Sequence, residues 1–186
     1  MTLPLEIDEP AEAPVRYLPE SAMVAMLRQR HDEVHAGARR WAYADHVPTL
    51  PMNTSKIRIV DFMAVDCWKG RDEWAVHGFE IKASRADWLA ELRNPEKAET
   101  AIRYCDRWWL VVSDLRIVLP GELPPKWGLL AVEQHYGLDR LVQYHAARRI
   151  IPEPWPKSLV ASFARAVAKS ARAASQILDH SVGETA

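Results

Sequence analysis

The feature that most constrains this chain is an aspartate inside an apolar, β-prone segment. Residues 57–65 favour a strand, and Asp61 interrupts them. A turn of the sequence Lys-Gly-Arg-Asp follows at 69–72, and residues 73–82 form a second strand-like segment that ends in Glu80-Ile81-Lys82. Two such segments joined by a short glycine-containing turn predict a β-hairpin.

The register of this hairpin decides which side chains meet. If the turn centres on Gly70 and Arg71, the numbers of facing residues sum to 141, and Asp61 lies opposite Glu80. Like charges that face each other directly destabilise a sheet. A hard divalent cation such as Mg²⁺, which prefers carboxylate oxygens, would offset that repulsion. The hairpin therefore predicts a metal site between the two carboxylates.

Strand alternation places Lys82 on the same face as Glu80, because the two residues are two positions apart. Phe79 and Ile81 are then expected on the opposite face, in the core. The alternative is an exposed surface ion pair, since Glu-x-Lys is a common tripeptide. A shift of the register by one residue would move Asp61 to the wrong face.

The remaining pattern predicts an α/β domain with a mixed sheet flanked by helices. A helix is expected over residues 21–44, followed by a loop over 45–55. Ser84 and Asp87 have the spacing of a helix N-terminus. Further segments are expected as a helix up to residue 104, strands over 107–113, 116–119, 128–133 and 138–144, and a closing helix over 158–178.

Composition and length limit the class of protein. The 186 residues, 48% hydrophobic and 26% charged, are typical of one globular domain. We expect a mobile, acidic, proline-rich arm over residues 1–19, a core over 20–150, and a basic helix and tail over 151–186. No apolar segment approaches the length of a membrane span, and two cysteines are too few for a disulfide framework. A cytoplasmic location is the expectation.

Two stretches resemble the core motif of PD-(D/E)XK nucleases. They are Arg58-Ile-Val-Asp61-Phe-Met-Ala and Gly78-Phe-Glu80-Ile-Lys82-Ala-Ser84. The longer stretches 77–99 and 104–112 are similar to a group of phage and bacterial proteins that includes MmcB-type DNA-repair proteins. The resemblance covers about residues 41 to 132.

The resemblance implies a restriction-endonuclease-like fold and hydrolysis of phosphodiester bonds in DNA. Asp61 and Glu80, with the carbonyl of Ile81, would bind Mg²⁺ or Mn²⁺, and Lys82 would orient or deprotonate the attacking water. In the family an acidic residue at the end of the first helix completes the metal site. Asp45 holds that place, and Glu33, on the same predicted helix, is the substitute.

Several residues are candidates for contact with nucleic acid. Arg85 and Trp88 follow the motif and are expected beside the substrate. Arg165, Lys169 and Arg172 share one face of the closing helix, either as a solvated face or as contacts to phosphates.

DNA is the expected partner, in a bacterial or phage-infected cell. The sequence leaves RNA open as a substrate and does not decide the oligomeric state, a homodimer included. The alternative class is a catalytically silent protein on the same fold that binds nucleic acid or a host factor.

His31 and His35 have a spacing that can bind zinc on a helix. No third ligand accompanies them, and Glu33 is one position late for a His-Glu-x-x-His motif. Two solvated helix residues are the preferred interpretation.

Overall fold

The structure is a computed structural model that describes residues 15–35, 37–49, 58–68, 70 and 74–183. Its strands are β1 (Val34–His35), β2 (Ala38–Arg39), β3 (Trp41–Thr49), β4 (Arg58–Asp66), β5 (Val76–Lys82), β6 (Arg107–Val112), β7 (Gly128–His135) and β8 (Leu138–His145). Its α-helices are α1 (Glu20–Arg30), α2 (Arg85–Leu92), α3 (Glu96–Ile102) and α4 (Lys157–Gly183).

Six strands form one mixed sheet in the order β3-β4-β5-β6-β7-β8, and β1 and β2 form a separate pair. The pairs β3/β4, β4/β5 and β7/β8 are antiparallel, whereas β5/β6 and β6/β7 are parallel. The prediction of an α/β fold with a mixed sheet flanked by helices is confirmed.

Each face of the sheet carries its own apolar core. On one face, α2, α3 and α4 pack through Trp88, Ala101 and Leu159 against strand residues such as Trp108. On the other face, α1 packs through Met23, Val24 and Leu27 against Phe62, Phe79 and Ile81. Phe79 and Ile81 therefore lie in the core on the side opposite the α2 layer, as alternation predicted.

Gly78 lets β5 and β6 approach each other beneath α3. It pairs with Trp108 in the parallel ladder. A Cβ atom at Gly78 would lie 2.4 Å from the Trp108 ring and 2.8 Å from the Cys105 sulfur. Only glycine fits here, two residues before Glu80, so the local packing fixes the position of the strand that carries the motif.

The predicted helix over residues 21–44 is wrong beyond Arg30. Gly37, at φ +81°, lies in the turn between β1 and β2, and β3 follows. The loop predicted over 45–55 is also wrong up to Thr49, and residues 50–57 lie outside the described part of the chain. Alanines at 36, 38, 42 and 44 gave the segment helical propensity, but pairing with β4 outweighs it.

The strand predicted over residues 116–119 is wrong as well. Residues Leu115–Ile117 form one turn of 3₁₀-helix. The Asp114 carboxylate caps this turn by accepting a 2.9 Å hydrogen bond from the Arg116 backbone N–H. Such a hydrogen bond from the backbone to a preceding aspartate favours a turn over a strand.

The folded unit begins before the predicted boundary at residue 20. The Arg16 guanidinium binds Asp139 with two hydrogen bonds of 2.5 and 2.7 Å, and the Arg16 backbone N–H binds Asp114 at 2.9 Å. The Ser113 hydroxyl lies between two carbonyl oxygens, 2.9 Å from that of Arg16 and 2.8 Å from that of Ala83, and can donate its one proton to either. The predicted mobile arm thus excludes Arg16, and residues 1–14 lie outside the described residues.

Helix α4 packs along β3, where the Ser170 hydroxyl bonds Asp45 at 2.8 Å. Among the described helices, α4 included, none is both long and apolar enough to cross a membrane.

Candidate functional site

The β4/β5 hairpin has the register that the sequence predicts. The pairs Phe62/Phe79 and Val65/Val76 both obey the sum of 141. The ladder ends at Phe62, one position before Asp61 and Glu80 would pair. There the Asp61 carboxylate accepts a 2.7 Å hydrogen bond from the Ile81 backbone N–H. Asp61 therefore replaces a backbone acceptor at the point where the two strands separate.

Glu80 and Lys82 lie on the face of β5 that α2 covers. The Lys82 Nζ donates hydrogen bonds to Glu80 at 2.5 Å and makes an ion pair with Glu91 of α2 at 3.1 Å. All three side chains are at most 15% exposed. The predicted alternative of an exposed surface ion pair is therefore wrong, because the lysine is buried between two carboxylates.

Asp61 and Glu80 line one cavity of about 300 Å³, together with Glu91. Asp61 and Glu91 also line an adjoining cavity of about 370 Å³ that includes Lys82. Among the described residues, the walls of the two cavities carry five carboxylates against two basic side chains. The acids are Glu20, Asp61, Glu80, Asp87 and Glu91, and the bases are Arg58 and Lys82.

The burial of these acids changes their protonation. Burial raises the pKa of Asp61 to about 6, although the hydrogen bond from Ile81 opposes the shift. Burial, and then the nearby Asp61 charge, raise the pKa of Glu80 to about 7. Burial disfavours the charge of Lys82, but Glu80 and Glu91 outweigh it and raise its pKa above the ordinary value. The site thus has a high affinity for positive charge, whether a proton or a cation.

The donor set suits a hard divalent ion. Carboxylate oxygens are the ligands that Mg²⁺ and Mn²⁺ favour, and Mg²⁺ commonly takes one or two protein carboxylates plus substrate phosphate. In the described part of the chain, no three acidic, histidine or cysteine side chains are arranged closely enough to enclose an ion. Asp61 and Glu80, which line one cavity, offer the two carboxylates that such an ion commonly takes from a protein.

The two candidates for a third carboxylate are not at this site. Asp45 lies on β3 rather than at a helix end, and its carboxylate binds Arg28 and Ser170, both at 2.8 Å. Burial opposes its charge, but these hydrogen bonds lower the pKa of Asp45 overall. Glu33 follows α1 and pairs with Arg40 at 3.2 Å, beside a cavity on the other face of the sheet.

Two acids that the sequence analysis missed do reach the site. Glu20, the first residue of α1, lines the same cavity as Asp61, and its charge raises the Asp61 pKa. Only the packing of α1 brings it there, so no sequence pattern indicates its role. Glu91 could have been found, because it lies three residues after the buried Trp88, on the apolar side of α2.

His46 lies beside these acids in an unusual backbone conformation. Its φ is +52°, and the β3/β4 pairing omits His46 and Asp61 between the pairs Asp45/Phe62 and Val47/Val60. The ring nitrogens lie 3.0 Å from Glu20 and 3.3 Å from Asp45. A left-handed residue that is not glycine costs free energy and is common at functional sites.

The prediction for Trp88 is wrong, whereas the one for Arg85 stays a prediction. Trp88 is fully buried, and its indole N–H binds Glu122 at 3.2 Å. Both amino groups of Arg85 bind Glu122, and one also binds the Ile117 carbonyl at 2.8 Å. These contacts fasten the segment after β6 to α2, and the burial of Trp88 leaves it no surface for a substrate.

The basic residues of α4 are exposed. Leu159, Ser162 and Ala166 form the buried side of the helix, and Arg165, Lys169 and Arg172 lie on its exposed side. Solvation and phosphate contact both remain compatible with this placement.

The structure does not place His31 and His35 one helical turn apart, the arrangement that could bind zinc. Helix α1 ends at Arg30, so His31 and His35 do not share a helical face. His31 is buried, with its Nδ1 2.7 Å from the Leu27 carbonyl oxygen, and burial lowers its pKa to about 4. It is a neutral core histidine near pH 7.

Comparison with known proteins adds the fold alone. No family model matches the chain, and no curated protein matches it. Among solved structures, it is similar to the SPO1766 protein of unknown function from Silicibacter pomeroyi, with a TM-score of 0.50 and 22% sequence identity. The match covers 81% of this chain and 84% of that one. The chain belongs to the class of α/β proteins with a six-stranded mixed sheet flanked by helices.

Proposed function

We propose that this chain is a divalent-metal-dependent nuclease that hydrolyses phosphodiester bonds in DNA, in repair, recombination or phage DNA processing. The observation that carries the proposal is the placement of Asp61 and Glu80 on adjoining strands. Both line one cavity, and Lys82 lies on the same face of β5. The resemblance of the motif to PD-(D/E)XK nucleases supports the same conclusion.

Asp61, Glu80 and the Ile81 carbonyl would hold Mg²⁺ or Mn²⁺, which supplies Lewis-acid polarisation of the phosphate and a more acidic water. Lys82 remains protonated because Glu80 and Glu91 raise its pKa. It therefore acts as a hydrogen-bond donor that orients water or a phosphate oxygen, rather than as a base. Glu91 positions the Lys82 ammonium from the helix side at 3.1 Å, even when Glu80 turns to a cation.

Glu20 is the proposed third acid of the centre, in place of Asp45 and Glu33. It lines the cavity that Asp61 and Lys82 share. His46 holds one of its carboxylate oxygens at 3.0 Å. The side chain is 45% exposed and would have to turn towards a cation, because no three such side chains of the described residues are close enough to hold one as they stand.

The exposed side of α4 is the proposed contact with the phosphate backbone. Replacing Arg165, Lys169 and Arg172 together by glutamine is expected to weaken DNA binding. It should also reduce the slope of log Kd against log salt by about one unit per lost contact. Fluorescence anisotropy at several salt concentrations measures both. Unchanged affinity and slope would identify these residues as a solvated helix face.

The direct test of the proposal is cleavage by the purified protein. Labelled single-stranded, double-stranded and branched DNA, and matching RNA, are incubated with Mg²⁺, Mn²⁺ or EDTA. We expect cleavage that depends on the metal and stops with EDTA. Binding without cleavage on every substrate would instead support a catalytically silent nucleic-acid-binding protein on this fold.

A further inference from the structure

The sheet face that α1 covers contains a cavity that the proposed nuclease centre does not use. It encloses about 440 Å³, within the range of small-molecule sites. Its walls include Phe79, whereas Glu80, the next residue, points to the other face of the sheet. The sheet therefore separates this cavity from the acidic centre.

Aromatic rings form much of the cavity wall. The Phe79 and Trp109 rings are nearly parallel, at 12° with centroids 6.3 Å apart. His77 lies at 26° to Trp109 with centroids 6.2 Å apart, and Trp41 meets His77 edge-on at 5.2 Å. Flat apolar walls of this kind favour a planar ring, because aromatic and nucleobase rings stack on them.

One wall residue carries an unused hydrogen-bond donor. Trp109 is only 7% exposed, and its buried Nε1–H has no hydrogen-bond partner among the described residues. A buried donor without an acceptor costs free energy, and a ligand acceptor that reaches it after a small shift of the Trp109 ring would recover that cost. The cavity thus favours a ring that bears an acceptor atom.

The edge of the cavity offers positive charge. Arg30 lines it, is exposed, and makes no ion pair with another residue in the described part of the chain. Arg40 is committed elsewhere, since it binds Asp66 at 2.8 Å and Glu33 at 3.2 Å. Arg40 shares its one charge between Asp66 and Glu33, so Arg30 is the basic wall residue that can still pair with an anion.

We propose that this cavity binds a nucleotide, with the base against the Trp109 and His77 rings and the phosphate on Arg30. A nucleotide combines the three features that the cavity selects: a planar ring, ring acceptors and an anionic group. The nucleotide is either free or the phosphorylated end of a strand. The proposal does not depend on nuclease activity.

Isothermal titration calorimetry of the full chain in EDTA, where metal-dependent cleavage is blocked, tests the proposal. The ligands are AMP, CMP, adenosine and a short single-stranded DNA with a 5′-phosphate. We expect AMP to bind about tenfold more tightly than adenosine, because adenosine lacks the charge-assisted contact to Arg30. If the DNA binds more tightly than AMP, the ligand is the end of a strand. If the DNA binds as tightly as AMP or more weakly, the ligand is a free nucleotide.

Arg30→Gln removes an exposed charge and is expected to weaken nucleotide binding about tenfold. Trp109→Phe keeps the apolar ring, removes the Nε1–H donor, and should weaken binding of both AMP and adenosine. Arg148→Gln, at an exposed arginine outside the cavity, is the matched control and should change nothing. If no nucleotide or strand binds, or if Arg30→Gln leaves binding unchanged, the proposal is overturned.

Discussion

Glu80→Gln is expected to abolish metal-dependent cleavage while making the metal-free protein more stable. The amide keeps the shape of the side chain but removes an anionic metal ligand. A bound metal stabilises the transition state by several kcal/mol. Without it, the rate of cleavage is expected to fall by about three orders of magnitude. Cleavage of labelled DNA with Mg²⁺ and Mn²⁺ measures this loss.

The gain in stability follows from the raised pKa of Glu80, which burial and Asp61 bring to about 7. The folded state holds this proton more tightly than the unfolded state, so stability falls as pH rises from about 4.5 to about 7. At pH 8 the charged Glu80 destabilises the fold, and glutamine removes that charge. We expect a gain of about 1–2 kcal/mol at pH 8, after allowing for the lost ion pair with Lys82.

Urea unfolding in EDTA at pH 5 and pH 8 measures the free energy of unfolding of the natural protein and of Glu80→Gln. The gain in stability of the variant should be small at pH 5. Glu153→Gln, at a side chain that is 56% exposed, is the control and should change neither cleavage nor stability. Full cleavage by Glu80→Gln would exclude Glu80 as a metal ligand. Lost cleavage with lower stability at pH 8 would instead indicate a damaged fold.

Lys82→Ala is expected to reduce cleavage by two or more orders of magnitude while metal binding and DNA binding survive. Removal of the ammonium leaves Glu80 and Glu91 without their shared cation. A divalent ion should then bind at least as tightly as in the natural protein, because it competes with no lysine. DNA affinity should hold, since distributed phosphate contacts supply most of it.

The contrast between the two variants is in metal affinity. Calorimetry with Mn²⁺ should show weaker binding for Glu80→Gln and retained or tighter binding for Lys82→Ala. Lys157→Ala, at an exposed lysine, is the control for loss of one positive charge. Equal residual cleavage in the natural protein and in both variants would point to a contaminating nuclease, and only the fold assignment would stand.

The hairpin and its register could be predicted because they depend on neighbours in sequence. The turn fixes which residues face each other, and alternation assigns Glu80 and Lys82 to one face and Phe79 to the other. Those rules are local and geometric. The separation of the strands at Asp61 could not be predicted, since its carboxylate replaces a backbone acceptor only in the folded sheet.

The structure around Asp45 was predicted wrongly because this segment has helical propensity but pairs as an edge strand of the sheet. Tertiary pairing overrides weak propensity. Glu20 reaches Asp61 only through the packing of α1, a long-range contact that spacing does not encode. Trp88 illustrates the same limit, because a tryptophan beside a motif serves equally well as core or as binding surface.

The contacts of Arg16 have a consequence for the smallest chain that can fold. Arg16 joins Asp139 of β8 to Asp114, and through Ser113 it reaches Ala83, the residue after Lys82. A version of the protein shortened by trimming from its N-terminus must therefore keep Arg16. Deletion to residue 19 would leave the Asp114 and Asp139 carboxylates and the Ser113 hydroxyl without their Arg16 partner. A truncation that keeps these contacts therefore ends before Arg16, not at the first helix.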